Sequence, residues 1–380
     1  MNYEAHFDKD EYPELNQRLF LPLRESGQMN ADPSGWLDTH SKVSEDELFP
    51  PEIQKYYSDF YNQLNPIKKN ITPMMSAWEN IELSTENITL CHSATVGSAI
   101  ALAFLISKGI KTVILETPCY FATFYQAQAF GMNIIRIPTF KEDDFNFSVP
   151  HEIISKNSPC AIFITQPRTA LGTNQNVQHL INLVKQLDEK SYLIIDEATE
   201  QLFPSSLHEL NFNAFHNVIK IRSMFKGLGI NGVRLACLIH HEKHRKQIAE
   251  EMEVMQGALD LHSLKLAMKM GENVERFKSL LGVANNQVIS LRKKAELQIK
   301  RSNCEVSPII NGYIGCAIIK LPSENRRNEF LEYCANSRMP VIIGSSMGFA
   351  RHKGYEFVRL NYFNRENHIL KGLEIMASFQ

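Results

Sequence analysis

The stretch RSMFKGLGINGVR contains one lysine, Lys226, directly after an apolar run and eight residues before Arg234. Gly227, Gly229 and Gly232 in the same stretch spell G-x-G-x-x-G, the pattern of loops that bind a dinucleotide pyrophosphate. A nucleotide loop needs a helix immediately after the glycines, because the helix N-terminus holds the phosphates. The residues that follow are VRLACLIHH, a short apolar run that favours a strand. The stretch therefore favours Lys226 as a chemical group over a nucleotide-binding loop.

Other side chains that could do chemistry follow predicted strands. Ligands in parallel α/β sheets bind outside the carboxyl ends of the strands, so the residues after each strand are expected to share one crevice. These residues are Ser93, Ala94 and Thr95 after NITLC, Tyr120 after KTVILE, Arg168 and Thr169 after CAIFIT, Asp196 after SYLII, and Ser223 and Lys226 after NVIKI.

Each of these residues has an ordinary structural role when it is taken alone. Small residues at a helix start commonly cap the helix, a tyrosine commonly lies in a core, and a single lysine is commonly a surface residue. A carboxylate that follows YLII is part-buried and needs a cationic partner. The combination in one crevice favours a site with a phosphate-binding helix start, an aromatic face, a carboxylate and a lysine.

Pyridoxal phosphate is the cofactor whose chemistry needs this set of side chains. A lysine forms a Schiff base with its aldehyde, and the cofactor then accepts electrons from the substrate. A carboxylate keeps the pyridine nitrogen protonated, and an aromatic ring stacks on the cofactor face. The phosphate dianion needs helix-terminal N–H groups, hydroxyls and an arginine.

The elements that carry these residues alternate between about residue 86 and about residue 240. Apolar runs of five or six residues, such as KTVILE and CAIFIT, are separated by amphipathic stretches such as NVQHLINLVKQLDEK. Buried parallel strands covered by helices on both faces have this pattern. The sequence therefore predicts an α/β fold in which a mostly parallel, seven-stranded sheet lies between helices. Gly109 and Gly131 are predicted to end two of the helices, and Pro66 to break a helical stretch at 51–80.

Four parts are predicted along the chain. They are an N-terminal segment at 1–45, a large cofactor-binding domain at 46–270, a connecting helix at 271–301 and a smaller α+β C-terminal domain at 302–380. The last part differs in pattern, because the strand-like runs YIGCAIIKL, PVIIG and EFVRLNYF alternate there with helical runs.

The composition excludes several other classes of protein. The 380 residues carry a formal net charge of −2, so no surface for nucleic acid or for an anionic membrane is expected. The acidic start MNYEAHFDKDEYPEL is unlike a secretory signal, and the longest apolar run is too short to span a bilayer. Seven cysteines without a C-x-x-C pair predict reduced thiols in the cytoplasm, with no zinc site. His240, His241 and His244 lie among charged residues and predict a solvated helix start rather than a metal site.

Six motifs together resemble the class I/II aminotransferases, which are fold-type I pyridoxal phosphate enzymes. One of them, QPRTALGTNQNV, stands where the family has P-N-N-P-T-G-T. SATVGSAIALAF is similar to the G-A-T-x-A phosphate loop of that family, TPCYFATF to its P-x-Y-x-x-Y, and IIDEATEQLF to its D-E-A-Y-x-x-F. RSMFKGLGINGVR is similar to its S-x-S-K-x-x-G-x-x-G-x-R, and EFVRLNYF resembles the C-terminal strand whose arginine binds the substrate α-carboxylate. The resemblance runs from about residue 85 to about residue 375, and the segment before it matches poorly.

The resemblance implies a role for each matching residue. Lys226 carries the Schiff base in this interpretation, Asp196 faces the pyridine nitrogen, and Tyr120 stacks on the ring. Arg359 binds the carboxylate of the substrate. The residues that match the cofactor-binding positions of the family are Ser93, Ala94, Thr95, Tyr120, Thr169, Asp196, Ser223, Lys226 and Arg234.

Two residues depart from the family pattern. Thr169 stands where the family has asparagine, and Thr199 where it has tyrosine. Those two family residues hydrogen-bond the phenolic oxygen of the cofactor and lower the pKa of the Schiff base, and threonine is shorter than both. Our hypothesis is that the Schiff base of this protein stays protonated to higher pH than in its relatives, which a pH titration of the visible cofactor band would test.

The leading interpretation is a pyridoxal phosphate-dependent aminotransferase that acts on an amino acid with a free α-carboxylate and on a 2-oxo acid. The alternative is a lyase, decarboxylase, oxidase or cyclase of a specialised amino-acid pathway that uses the same cofactor and fold. A regulator built on this fold is disfavoured, because no basic helix-turn-helix pattern precedes the phosphate loop. The resemblance also implies a homodimer, with Tyr61 as a residue that reaches the phosphate of the partner.

Overall fold

The computed structural model describes most of the chain outside its first 57 residues. The described residues are 23, 29–34, 58–139, 147–168, 172–257, 259–301, 307–308, 314–320, 324–344 and 355–379.

A seven-stranded sheet forms the centre of the larger part of the molecule. Its strands are β1 (Ile88–Cys91), β2 (Thr112–Thr117), β3 (Asn133–Pro138), β4 (Cys160–Thr165), β5 (Tyr192–Asp196), β6 (Val218–Ser223) and β7 (Ala236–Ile239), in the spatial order β1-β7-β6-β5-β4-β2-β3. Strand β7 runs antiparallel to both of its neighbours, β1 and β6, and the other pairs are parallel. The predicted mostly parallel sheet of seven strands is confirmed.

Helices cover both faces of this sheet. They are α1 (Ser58–Glu79), α2 (Ala94–Ser107), α3 (Phe121–Ala129), α4 (His151–Asn157), α5 (Val177–Val184), α6 (Arg245–Gln256) and α7 (Leu261–Gly271). Successive side chains of a strand point to opposite faces, so every strand contributes to two cores. In β2, Val113 and Leu115 lie in the core under α2, and Ile114 lies in the core under α4 and α5.

Two helices end just before the predicted glycines, but the predicted helix break at Pro66 is wrong. Gly109 and Gly131 adopt positive φ angles of 80° and 68° directly after α2 and α3, a conformation that glycine adopts without strain. Helix α1, by contrast, continues through Pro66 and Pro73. Both prolines lie on its exposed face, while the opposite face is buried in the core, with Trp78 fully enclosed. Tertiary packing of that face outweighs the local cost of proline.

The C-terminal part is a smaller α+β unit, as predicted. Its elements are α8 (Val274–Arg301), β8 (Ser307–Pro308), β9 (Ile314–Lys320), α9 (Glu324–Asn336), β10 (Tyr355–Asn361) and α10 (Glu366–Ala377), and its antiparallel sheet has the order β10-β9-β8. The prediction of a strand at PVIIG is wrong, because this run contributes one isolated bridge, between Ile343 and Val358. The predicted domain limits stay a prediction.

Two segments are associated with the small unit, and one of them, helix α8, also reaches the core of the large sheet. Residues 29–34 lie against the small unit, where the carbonyl of Pro33 accepts a hydrogen bond of 2.9 Å from the backbone N–H of Asn361. Helix α8 has Leu281 in the core of the large sheet and Leu291 in the core of the small unit. In the part of the chain described above, no helix is long and apolar enough to cross a bilayer.

The histidines before α6 do not form a solvated helix start. His240 and His244 are buried, although Lys243 and Arg245 between and after them are exposed. His240 contacts the hydroxyl of Thr89 through Nε2 at 2.9 Å, and the ring of His244 packs against aromatic neighbours. The sequence did not predict the burial of these two rings, because their sequence neighbours are charged. The rings complete the core at one end of the sheet.

Candidate active site

The carboxyl ends of four strands meet at one edge of the large sheet. Thr165 at the end of β4 pairs with Asp196 at the end of β5, and Asp196 pairs with Ile221 in β6. Ser223 at the end of β6 and Cys91 at the end of β1 both pair with Ala236 of β7. The residues that follow these strands therefore lie around one crevice, as the sequence predicted.

Lys226 begins a single 3₁₀ turn that follows β6 after two intervening residues. The turn spans Lys226–Leu228 and ends at Gly229, whose φ of 76° lets the chain reverse. The amine of Lys226 lies 5.7 Å from the centre of the Tyr120 ring. Burial lowers the pKa of this amine, and the positive charges of Arg359 and Arg234 lower it further, while Asp196 opposes them. A lysine amine with a lowered pKa is more often neutral and is a better nucleophile.

Asp196 is a buried carboxylate at the end of β5. Its Oδ1 accepts a hydrogen bond of 3.0 Å from the backbone N–H of Ala198. Burial raises the pKa of Asp196, and the positive charge of Lys226 together with the Ala198 N–H opposes this shift. A carboxylate in this position favours the binding of a second cation besides Lys226, because a buried charge needs a partner.

The N-terminus of α2 lies at the same edge. Ser93 caps the helix by accepting a hydrogen bond of 3.2 Å from the N–H of Val96, and Ala94 and Thr95 form the first turn. The hydroxyl of Thr95 lies 3.4 Å from the hydroxyl of Tyr120. The first N–H groups of a helix have no intrahelical acceptor and carry partial positive charge, so this helix start is suited to an anion.

Ser223 and Arg234 flank the turn that carries Lys226. The hydroxyl of Ser223 lies 3.4 Å from both the N–H of Lys226 and the carbonyl of Leu235. Arg234 is exposed to solvent. Both residues are therefore close to Lys226, and the exposed guanidinium can reach an anion that enters the crevice.

Arg359 comes from β10 of the small unit and is buried. Its Nη2 and Nε donate to the carbonyl of Ser34 at 2.6 and 3.2 Å, and the hydroxyl of Ser34 donates to the carbonyl of Arg359. This reciprocal contact fixes the guanidinium, and its charge is close enough to lower the pKa of Lys226. A fixed guanidinium suits bidentate binding of a carboxylate.

Some residues predicted for the site are placed only in part. Thr169 lies outside the described residues, and Tyr61 lies on α1 but its side chain is outside them as well. Thr199 is buried. Arg168 donates to Glu116 and, at 3.0 Å, to the hydroxyl of Thr139, so its charge is compensated by a buried carboxylate. The functional roles of all these residues stay predictions.

A buried cluster of charges behind the site was not predicted. Glu79 of α1 and Glu197, which follows Asp196, surround two cations of the central strand β6, Lys220 and Arg222. The run VIKIRS contains the signal, because cations that alternate with isoleucines in a central strand must point into the protein and need buried acids.

These residues fit pyridoxal phosphate. The buried carboxyl of Asp196 can hold a protonated ring nitrogen, the helix start at Ala94 can receive a phosphate, and Lys226 offers an amine beside an aromatic ring. The fold and the crevice together define the class of a pyridoxal phosphate enzyme with an aminotransferase-like fold.

Family comparison makes the identification more specific. The model of the family "Aminotransferase class I and II" matches residues 60–289, which is more than half of the chain. The chain belongs to this family. Family membership confirms the predicted resemblance, and with it pyridoxal phosphate as the cofactor.

Different relatives are named for different activities. An L-serine phosphate decarboxylase of Campylobacter jejuni is 27% identical over 140 residues, which are 35% of this chain and 36% of that protein. A histidinol-phosphate aminotransferase of Buchnera aphidicola is 22% identical over 200 residues, 52% of this chain and 53% of that protein. The chain thus matches about a third and about half of the length of these curated relatives.

A solved structure shares the fold of this protein. A Thermus thermophilus aspartate aminotransferase mutant complexed with tryptophan has a TM-score of 0.74 at 14% identity, covering 100% of this chain and 99% of that one. At this identity the similarity establishes the fold alone, and the predicted fold class is confirmed.

Proposed function

We propose that this protein is an aminotransferase that acts on an amino acid with a free α-carboxylate and holds its cofactor through Lys226. The observation that carries the proposal is that Asp196 at the end of β5 and the turn of Lys226 after the neighbouring strand β6 lie at one edge of the large sheet, with the charge of Arg359 close enough to lower the pKa of Lys226. Amino-group transfer needs an amine that exchanges with the substrate, a carboxylate behind the ring and a cation that binds the substrate carboxylate.

Each of the three groups has a separate task in this proposal. When bound, pyridoxal phosphate supplies an aldehyde that condenses with amines and a ring that accepts electrons. The amine of Lys226, whose lowered pKa increases its neutral fraction, takes the proton from the substrate Cα and returns it. Arg359 orients the substrate by its carboxylate, and Asp196 compensates the positive charge of the ring nitrogen.

A decarboxylase is the second candidate, because the Campylobacter jejuni relative carries that name. The names of both relatives also specify a phosphate ester on the substrate. Phosphorylated amines therefore belong in the substrate test beside ordinary amino acids.

A product assay separates the candidates. Holoenzyme is incubated with 2-oxoglutarate and, one at a time, with the common amino acids, O-phosphoserine and histidinol phosphate. Formation of glutamate supports transfer, release of carbon dioxide supports decarboxylation, release of ammonia supports a lyase, and uptake of oxygen supports an oxidase. If no compound changes the visible cofactor spectrum, the proposal of an amino-acid enzyme is wrong.

Family membership supports a proposal for the assembly and the location of the enzyme. We infer a homodimer with the active site between subunits, in the cytoplasm, with amino acids and 2-oxo acids as substrates. Sedimentation equilibrium tests the assembly, and a monomer that retains full activity would contradict it.

A further inference from the structure

The turn that carries Lys226 is in close contact with the segment that follows β5. The carbonyl of Gly227 accepts a hydrogen bond of 2.6 Å from the side-chain amide of Gln201. A Cβ atom added to Gly227 would lie 2.7 Å from the carbonyl oxygen of Glu200 and 3.6 Å from Cγ of Gln201. The backbone after Lys226 therefore lies directly on the backbone of Glu200, and the Gln201 amide fixes its orientation.

The segment that holds the turn is itself rigid. Both carboxylate oxygens of Glu200 are used: Oε1 accepts from the N–H groups of Gln201 and Leu202 at 2.9 Å, and Oε2 accepts from the hydroxyl of Ser206 at 2.5 Å. Glu200 and Gln201 are buried, and the carbonyl of Leu202 accepts a hydrogen bond of 2.7 Å from the indole of Trp78. Such a segment can restrain a neighbouring turn because its own hydrogen bonds leave it little freedom.

The opposite side of the turn is bounded by α8. Cδ2 of Leu281 would lie 3.4 Å from a Cβ atom at Gly227, which is ordinary van der Waals contact. Gly227 is therefore enclosed between the Glu200–Gln201 segment and a helix of the core. The Gln201 amide is the specific, directional contact in this arrangement, since the Leu281 contact is non-directional.

We propose that Gln201 is a positioning residue that fixes the turn of Lys226, so that the amine meets the cofactor aldehyde and the substrate in a reactive geometry. The proposal deepens the proposed function and rests on Lys226 as the residue that holds the cofactor. The hydrogen bond acts on Lys226 through the peptide of the next residue, and reactive geometry is sensitive to displacements of about 1 Å. Gln201 also follows Asp196 by five residues, so one rigid segment connects the carboxylate to the lysine turn.

The test compares two glutamines that make the same kind of contact. Gln201→Met keeps the length of the side chain but removes the N–H donor. Gln298→Met is the matched control, because the amide of Gln298 donates to the carbonyl of Leu370 at 2.9 Å in the small unit. Three quantities are measured for each variant: the thermal unfolding midpoint, the rate at which apoprotein captures pyridoxal phosphate, and kcat and KM for the amino-acid substrate.

We expect Q201M to slow cofactor capture and kcat about tenfold, the effect of roughly 1.4 kcal/mol, while KM changes less than about twofold. Q298M is expected to lose a similar amount of stability with capture and kcat unchanged. Gly227→Ala moves the turn in an independent way, since the added methyl meets the Glu200 carbonyl, and it should reproduce the slower capture with Gln201 intact.

Three results would overturn the role of Gln201. Q201M could capture the cofactor at the wild-type rate, Q298M could slow capture as much as Q201M, or Q201M could raise KM alone. Borohydride treatment of the wild-type protein followed by peptide mapping tests the basis separately. If the reduced cofactor is not attached to Lys226, the proposed function fails and the role of Gln201 fails with it. If the reduced cofactor is attached to Lys226 but Q201M captures the cofactor at the normal rate, only the role of Gln201 is refuted.

Discussion

Lys226 lies between charges of opposite sign, and these charges set its reactivity. Burial and the guanidinium groups of Arg359 and Arg234 lower the pKa of its amine, while the carboxylate of Asp196 raises it. Only the neutral amine attacks an aldehyde, so each neighbouring charge changes the fraction of reactive lysine at a given pH. Substitution of one neighbour at a time therefore gives shifts of predictable sign.

Asp196→Asn removes the charge that raises the pKa of Lys226. The pKa of the amine should fall, and capture of pyridoxal phosphate by apoprotein should then extend to lower pH than in the wild type. Turnover should nevertheless drop by about 10²- to 10³-fold, because the ring nitrogen loses the carboxylate that compensates its charge. The pH dependence of capture and the steady-state kcat measure the two effects, and a raised pKa in D196N would contradict the assignment.

Arg359→Gln removes a charge that lowers the pKa of Lys226, so the shift has the opposite sign. Capture should require higher pH, and KM for an amino acid should rise about 10- to 100-fold as a charge-assisted contact is lost. Arg234→Gln is the matched comparison, since it removes the other cation near Lys226. In that variant, cofactor capture should also require higher pH, and binding of the cofactor should weaken. Its KM for the amino acid should stay nearly unchanged.

At the scale of the elements, the charged cluster behind the site connects α1 to the central strand β6. The guanidinium of Arg222 contacts Glu79 and, at 2.7 Å, Glu197, and it lies 4.4 Å from the centre of the Trp78 ring. Lys220 donates to Glu79 at 2.7 Å. Removing one member of a buried cluster is costly because its partners stay charged and buried.

Arg222→Met should therefore lower the free energy of unfolding by about 3 to 5 kcal/mol. The double variant Glu79→Gln with Arg222→Met should lose less than the sum of the single variants, because Glu197 and Lys220 remain as a balanced pair. Lys371→Met, which breaks an exposed pair with Glu374, is the control and should cost under about 0.5 kcal/mol. Urea denaturation measures all the variants, and additive losses would argue against a coupled cluster.

The buried ring of His240, which follows β7 and contacts Thr89 of β1, is expected to make the stability of the protein sensitive to acid. Burial lowers the pKa of His240 to about 4 from an ordinary value of 6.5. Between these two pH values the unfolded chain binds a proton at His240 that the folded chain does not, so the contribution of His240 to stability falls as the pH falls through this window and is constant above it.

His240→Gln should remove this part of the pH dependence, which amounts to about 3 kcal/mol at full protonation. Urea denaturation at pH 7 and pH 4.5 gives the difference in unfolding free energy, and H240Q should show a smaller difference than wild type. His179→Gln, on the exposed face of α5, is the control. An unchanged difference in H240Q would mean that another group accounts for the acid sensitivity.

Sequence patterns predicted those features that depend on local residue types. Apolar runs indicated the strands, Gly109 and Gly131 indicated two helix ends, and the residues after the strands placed Lys226 and Asp196 in one crevice. Contacts between distant segments could not be predicted this way. The carbonyl of Ser34 accepts a hydrogen bond from Arg359, 325 positions away in the sequence, and His240 contacts Thr89, 151 positions away.

At the scale of the whole molecule, α8 joins the two cores. Its first half contributes Phe277 and Leu281 to the core beside the large sheet, and its second half contributes Leu291 and Ile299 to the core of the small unit. The same helix bounds the turn of Lys226 through Leu281. A continuous helix with apolar residues in both cores should make their unfolding cooperative, since melting of one half exposes apolar surface in the other.

Leu291→Ala tests this coupling, because it creates a cavity in the core of the small unit only. The chain has two tryptophans, so Trp36→Phe leaves Trp78, buried in the core of the large sheet, as a local probe. In that background L291A should lower the unfolding free energy by about 2 to 5 kcal/mol, measured equally by Trp78 fluorescence and by far-ultraviolet circular dichroism. If the cores unfold separately, circular dichroism will register the loss while the fluorescence midpoint stays in place. Coincident midpoints mean that one helix transmits a defect from the small unit to the core that carries Lys226.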